Sequence, residues 1–248
     1  MNDTNAKRWV GAWICTSNDA GESWDLPVRA PLTAPHGPIR LKSGELLYFG
    51  KEFLVEMKGF QNGVGGITAM KSKDDGRTWE KLGAVPLYPG TGESNYHEPH
   101  VAELPDGTLL GLIRFGKPRS QKLKSNEDLV NFSLFQSVSK DGGKTWTRAE
   151  PLGFHGSPPH LLSHSSGTLI CAYGYRQSPY GERLMISRDG GDSWEYDYIL
   201  RDDGPASDLG YPSTVELANG ELFTMYYQKR ESATEKCSLL WTRWTLPE

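Results

Sequence analysis

The sequence predicts an all-β fold, a propeller of four-stranded antiparallel blades, on three observations. One eight-residue turn motif occurs four times. A second motif, strand–glycine turn–strand, also occurs four times and interleaves with the first. No long stretch carries the apolar period of an amphipathic helix.

The first motif is Ser-x-Asp-x-Gly-x-Ser/Thr-Trp. It runs from Ser17 to Trp24, Ser72 to Trp79, Ser139 to Trp146 and Ser187 to Trp194. The copies start roughly fifty to seventy residues apart, the length of a propeller blade. Asp19, Asp74, Asp141 and Asp189 are suited to accept backbone N–H groups two residues on and close the turn. Gly21, Gly76, Gly143 and Gly191 supply the positive φ that a hairpin needs. The Trp opens the next strand and lies over the turn. These four Asp are therefore read as structural, not catalytic.

The second motif comprises Ile39 to Leu47, Val101 to Leu110, Leu161 to Ile170 and Val215 to Phe223, with turn glycines Gly44, Gly107, Gly167 and Gly220. Each unit then reads as two hairpin strands, a third strand, the Ser/Asp turn and a fourth strand. In the second unit, the third strand is predicted over Phe132 to Val138 and the fourth from Trp146. Three units are complete, opening near Pro38, Glu98 and Pro159. A fourth, from Tyr211, has three strands. Trp9 to Cys15 and Trp24 to Val28 read as a third and a fourth strand around the first turn. Either they close the last unit, or an upstream piece is missing, which is the reading taken here. The chain, 1–248, is then one propeller domain, incomplete at its N-terminus.

Composition narrows the function. The net charge of −4 offers no basic face to nucleic acid. No apolar run reaches the roughly 18 residues of a membrane span. Met1 to Arg8 lacks the apolar segment of a secretory signal, which fits a cytoplasmic protein, a processed chain or a fragment, so localisation stays open. Cys15, Cys171 and Cys237 are too few and too scattered for a disulfide scaffold or a zinc site. Cys15 and Cys171 fall in apolar runs and read as buried thiols.

The repeat register singles out two reactive side chains. Glu98 and Tyr211 stand at the same offset before their turn glycines, Gly107 and Gly220. Both therefore open an inner strand on the same rim of the axial funnel. Pro35 and Pro158 hold the equivalent places in the other two blades. His36, His97, His100 and His160 fall at or beside inner-strand entries too. One His per blade would leave them far apart around a ring, so sugar hydrogen bonding or packing suits them better than a metal. His155 and His164 read as loop residues, and Lys117 to Lys124 as a solvated loop.

The eight-residue turns are those of the sialidase (neuraminidase) superfamily, where they are called Asp boxes, and the chain resembles that family from about Trp9 onward. The resemblance implies a six-bladed propeller, of which this chain would lack the first blade and part of the second. Two segments resemble active-site motifs of the family. One runs from Glu98 through Asp106-Gly107 to Arg114. The other is Gly210-Tyr211-Pro212-Ser213, where Pro212 interrupts the family's Tyr-Ser pair.

By this resemblance, Tyr211 is the nucleophile of a retaining exo-sialidase and Glu98 its base. Arg114 would clamp the substrate carboxylate, with Arg176 or Arg183 as a further arginine. From the repeat register, not from the resemblance, His36, His100 and His160 are candidates to bind sugar hydroxyls, with packing as the alternative. The family's first arginine and its general-acid Asp lie ahead of the first box and are not found here. The implied substrate is a terminal α-linked sialic acid, with no metal or organic cofactor, no nucleic-acid or membrane partner, and a monomeric protein. Two rivals stand beside this reading. One is a non-catalytic Asp-box propeller that binds glycans or proteins. The other is a propeller enzyme for a different acidic sugar, which Pro212 and the His-rich rim favour.

Overall fold

The computed structural model describes residues 11–52, 65–117 and 129–247. Of the loop read between Lys117 and Lys124, only Lys117 falls within them. The described residues form four successive antiparallel sheets with a short two-stranded sheet before them.

That short sheet pairs β1 (Trp13–Ile14) with β2 (Val28–Arg29). The first blade holds β3 (Leu32–Thr33), β4 (Ile39–Arg40), β5 (Leu46–Glu52), β6 (Ile67–Ser72) and β7 (Glu80–Ala84). The second holds β8 (Tyr96–Glu103), β9 (Leu109–Phe115), β10 (Ser133–Ser139) and β11 (Glu150–His155). The third holds β12 (Pro159–Ser163), β13 (Leu169–Tyr175), β14 (Tyr180–Ser187) and β15 (Glu195–Gly204). The fourth holds β16 (Gly210–Glu216), β17 (Leu222–Gln228) and β18 (Ser238–Trp244). One 3₁₀ turn, Glu93–Asn95, leads into β8.

Alternation along the strands stacks the blades. On β9, Leu109, Ile113 and Phe115 join the core shared with the first blade, around Phe49 and Trp146. Leu110 and Leu112, pointing the other way, join the core shared with the third blade, around Leu161, Cys171 and Tyr173. On β13, Cys171 and Tyr173 face the second blade, whereas Ile170 and Ala172 face Leu222 of the fourth. A strand buried on both faces reads as a continuous apolar run, which is what both segments are. Each fully buried Leu or Phe contributes about 1.5–3 kcal/mol.

The inner strand of the first blade is broken. β3 pairs with one end of β5 and β4 with the other, leaving His36 in the gap. β1 and β2 pack on the first blade through Ala12, Ile14 and Ala30 against Tyr48 and Trp79. They do not pair with β18, so among the described residues the fourth sheet has three strands. Its outward face shows Val215, Met225, Leu239 and Trp241 to solvent.

The four Asp boxes share one bonding pattern, with a reach different from the one expected. Each Asp accepts the backbone N–H four residues on rather than two: Ser23 at 2.9 Å, Thr78 at 2.8 Å, Thr145 at 2.8 Å and Ser193 at 2.9 Å. The hydroxyl of that same residue donates to the other oxygen. The Trp indole N–H of the first three boxes donates to the carbonyl of the box glycine. Trp194 donates instead to Gln136 of the preceding blade at 2.8 Å. Two other expectations shift. The fourth strand of the second blade starts at Glu150, not at Trp146. Cys15 is exposed, at the end of β1, which among the described residues pairs only with β2, while Cys171 is buried as expected.

Two outcomes follow from this packing. The Ser or Thr hydroxyl first, then the backbone N–H, hold Asp19, Asp74, Asp141 and Asp189 at about 2 against an ordinary 3.8. The folded value lies below the unfolded one, so this stabilisation is present above pH 3.8 and is lost as pH falls through about 2. Urea midpoints should therefore drop across that window, and by less in Asp141→Asn. Separately, a Cβ on Gly83 would stand 2.1 Å from the Lys144 carbonyl oxygen of the next blade's box. Gly83→Ala should destabilise by about 1–3 kcal/mol, read as a lower melting temperature.

Candidate active site

Glu98 and Tyr211 are the third residue of β8 and the second of β16, close to the predicted strand entries, and their backbones share an uncommon geometry. Glu98 has φ 44° and Tyr211 φ 53°, both in the left-handed region. A proline follows each. Proline has no N–H for the ladder, and the β8–β9 register slips between His97 and His100, as the β16–β17 register does between Gly210 and Ser213. A non-glycine residue held this way costs on the order of 1–3 kcal/mol. The bulge re-aims each side chain at the strand entry.

The two side chains meet. The Tyr211 hydroxyl donates to Glu98 Oε1 at 2.6 Å, and Arg114 Nη1 pairs with Glu98 Oε2. Arg114 Nη1 also lies 3.5 Å from the Tyr211 oxygen. Arg114 comes from β9, opposite His97, and its guanidinium covers the Phe132 ring at 5.2 Å. Arg176, just past β13, places its guanidinium 6.0 Å from the Tyr211 ring centroid and donates to Ser207 O at 3.0 Å. A phenol, a carboxylate and two guanidinium groups from three blades thus share one mouth.

Burial first, then the hydrogen bond to Glu98 and its charge, push the Tyr211 phenol up to about 12, against the pull of Arg114 and Arg176. Tyr211 is therefore a neutral phenol at physiological pH, with a carboxylate positioned to take its proton.

The histidines differ from expectation. His36, His100 and His160 are not spread around a ring. Their ring centroids lie 4.5 to 5.1 Å apart, with His100 stacked on His160 and His36 edge-on to both. Two of them bridge inner strands. His100 Nδ1 accepts from Leu161 N–H at 2.9 Å, and His160 Nδ1 accepts from Thr214 N–H at 3.2 Å. These are equivalent repeat positions, so each imidazole ties its inner strand to the next. An imidazole that accepts at Nδ1 carries its proton on Nε2. Burial lowers His36 to about 4 and His160 to about 3, and holds His100 well below 6.5. All three are neutral at physiological pH. His36 Nε2 is buried without a hydrogen-bond partner, within the electrostatic reach of Glu98. Among the described residues, no three His, Cys, Asp or Glu are arranged to hold a metal ion.

Arg183 does not reach the mouth. Its guanidinium donates to the carbonyls of Arg201 at 2.6 Å, Glu182 at 3.3 Å and Pro179 at 3.3 Å, and stacks on Tyr175. It stands at mid-strand on β14, where a side chain serves the blade interior. Sequence reasoning missed Tyr227, which stacks on Tyr211 at 5.8 Å and donates to Asp208 at 3.0 Å. Its signal was available only through strand pairing, since it lies opposite Gly210 on β17.

The description "BNR repeat-like domain" belongs to a family model that matches residues 2–224. None of the curated proteins matches the chain. Among solved structures, a protein of unknown function from Dyadobacter fermentans DSM 18053 superposes with a TM-score of 0.77 at 24% identity, covering 96% of this chain and 64% of its own. The Hadza microbial sialidase Hz136 gives 0.60 at 18%, covering 83% and 43%. A Penicillium chrysogenum α-L-arabinanase complexed with arabinobiose gives 0.59 at 21%, covering 85% and 62%. The chain thus spans less than two thirds of each of these structures.

The pairing at the mouth sets one expectation. Glu98→Gln removes the anion that faces the phenol, so the Tyr211 titration should move down from about 12. Ultraviolet difference titration against Tyr211→Phe reads that shift; an unmoved titration would mean the two groups do not meet.

Proposed function

The chain belongs to the BNR repeat-like domain family, and from that premise we propose that it is a carbohydrate-active propeller, an exo-sialidase-like glycoside hydrolase that cleaves terminal α-linked sialic acids with retention. The observation that carries the reading is the Tyr211 hydroxyl donating to Glu98 across 2.6 Å.

The chemistry follows from the substrate's own charge. The anomeric carbon of a sialic acid bears a carboxylate, which repels an anionic nucleophile. A neutral phenol, deprotonated by Glu98 as it attacks, avoids that repulsion. Sialidases with a Tyr nucleophile are a recognised exception to paired-carboxylate hydrolysis. In this scheme Tyr211 Oη bonds to the anomeric carbon, its proton passes to Glu98, and the aglycone departs. The leaving oxygen takes its proton from an acid other than Glu98. Water then attacks the anomeric carbon and gives its proton back to that acid, the bond to Tyr211 Oη breaks, and the departing phenolate recovers its proton from Glu98. Arg114 and Arg176 supply planar cations for the substrate carboxylate.

The imidazole cluster favours a second reading, an enzyme for another acidic sugar. His36 Nε2 is buried without a hydrogen-bond partner, within the electrostatic reach of Glu98, and the sialidase scheme gives it no step.

Release of fluorophore from a sialic-acid aryl glycoside tests the first reading, with an aryl glucuronide assayed in parallel. Tyr211→Phe should lower turnover by a factor on the order of 10³ or more with an unchanged melting temperature. Wild-type rates in that variant would remove Tyr211 from the chemistry. Turnover of the glucuronide alone would select the second reading. Sugar binding without turnover of either would leave a glycan-binding propeller.

A further inference from the structure

One exposed aromatic at the mouth takes no part in the reaction above. Phe132 stands just ahead of β10 and has φ 54°. A bulky side chain in the left-handed region is an outlier, and such strain persists only where the surroundings over-determine it. Here they do. Gly156 N–H donates to Phe132 O at 2.8 Å, and His155 Nδ1 donates to Asn131 O at 3.0 Å. Asn131 Oδ1 accepts from Lys117 N–H at 2.7 Å, and Ser133 Oγ donates to Val130 O at 2.7 Å. The turn that carries Phe132 is thus tied down on both sides of it.

The ring held in this way does not serve a core. Phe132 is 37% exposed and belongs to none of the apolar cores among the described residues. Its neighbour is the Arg114 guanidinium, 5.2 Å from the ring centroid. Arg114 has its own anchor, the ion pair with Glu98. Measured through Arg114, the ring centroid lies no more than about 10 Å from the Tyr211 hydroxyl. A sugar seated on Tyr211 would therefore place the ring joined to it within reach of Phe132. An aromatic face carries partial negative charge and makes no hydrogen-bond demand, so it suits the C–H-rich face of a pyranose. A pocket of this kind combines such apolar walls with a few fixed polar groups.

We propose that Phe132 is the platform of a second subsite, stacking on the pyranose ring joined to the acidic sugar. A terminal sugar has one neighbour, so in an exo-acting enzyme that ring belongs to the leaving group. The platform stands on the geometry of the mouth. Its place on the leaving-group side rests on the glycosidase reading given above.

The first readout needs no turnover. The ring resonances of Phe132, assigned by their loss in Phe132→Leu, should shift on titration with sialyllactose or with a disaccharide capped by glucuronic acid. The corresponding methyl glycosides, which hold the acidic sugar and no second ring, should move them far less. The second readout is kinetic and uses whichever acidic sugar the wild-type protein turns over. Phe132→Leu removes the aromatic face, Phe132→Gly removes the ring and suits the positive φ, and Phe132→Tyr keeps the face. In the first two, kcat/KM for the disaccharide should fall by about fivefold or more, while Ki for the methyl glycoside changes by less than about twofold. Phe132→Tyr should stay near the wild type.

Ring resonances that neither disaccharide moves would overturn the proposal, active enzyme or not. So would an equal loss for disaccharide and methyl glycoside, which would make Phe132 a support for Arg114. A wild-type protein that turns over neither sugar would sink the hydrolase reading alone, and the Phe132 resonances would still decide the subsite.

Discussion

The hydrogen bond from Tyr211 to Glu98 joins the second blade to the fourth, across the whole width of the third. No local sequence preference can make that contact. It depends on how sharply three successive sheets turn about the axis, and a small change in that turn would separate the pair. The curvature is set at two radii. Near the axis, His100 and His160 hand one inner strand to the next through backbone N–H bonds. Farther out, two apolar cores fill the gaps between blades, one around Leu112 and Cys171, the other around Ala172 and Leu222. At the far end of the funnel, Glu103 accepts from Lys42 N–H and Glu216 from Ser165 N–H, tying hairpin turns to their neighbours.

Rigidity at the mouth has a local cost that this frame offsets. Two residues sit in left-handed backbone ahead of prolines, a combination that an isolated strand would relax. The bulges they make lift a carboxylate and a phenol clear of the ladder. Around them the surface is a set of aromatic faces and guanidinium planes: Phe132 under Arg114, Tyr227 beside Tyr211, Arg176 above it. Such stacking orders long cationic side chains without neutralising them, which suits recognition of a carboxylate.

The legible and illegible parts of the sequence divide by range. The Asp boxes were readable because their bonds are local: Ser187, Asp189, Gly191 and Ser193 close one turn among themselves. The inner-strand entries were readable because the repeat carries Glu98 and Tyr211 to equivalent places. Arg114 was readable as the end of a second strand, and Arg176 by analogy with it. Arg183, the alternative to Arg176, could not be separated from it by its place in the sequence. Whether it turned outward or into the blade depended on the carbonyls of Arg201 and Pro179, which the fold brings to it. The histidines were assigned to the right level of the funnel and to the wrong spacing, since an inner radius small enough for three imidazoles to touch is a property of the assembled ring.

Sequence alone determined what short-range chemistry can encode: the strand and turn alternation, the four box turns, the apolar period that buries both faces of β9 and β13, and the register that puts a phenol and a carboxylate on one rim. Tertiary structure decided which of the charged and aromatic side chains meet there. It brought Arg176 and Tyr227 to Tyr211, turned Arg183 into its own blade, and gathered His36, His100 and His160 at the axis. The reason is physical. Turns and strand alternation are set within a few residues of chain. The direction and company of a side chain at the axis are set by blade curvature, a sum over packing contacts that no single segment contains.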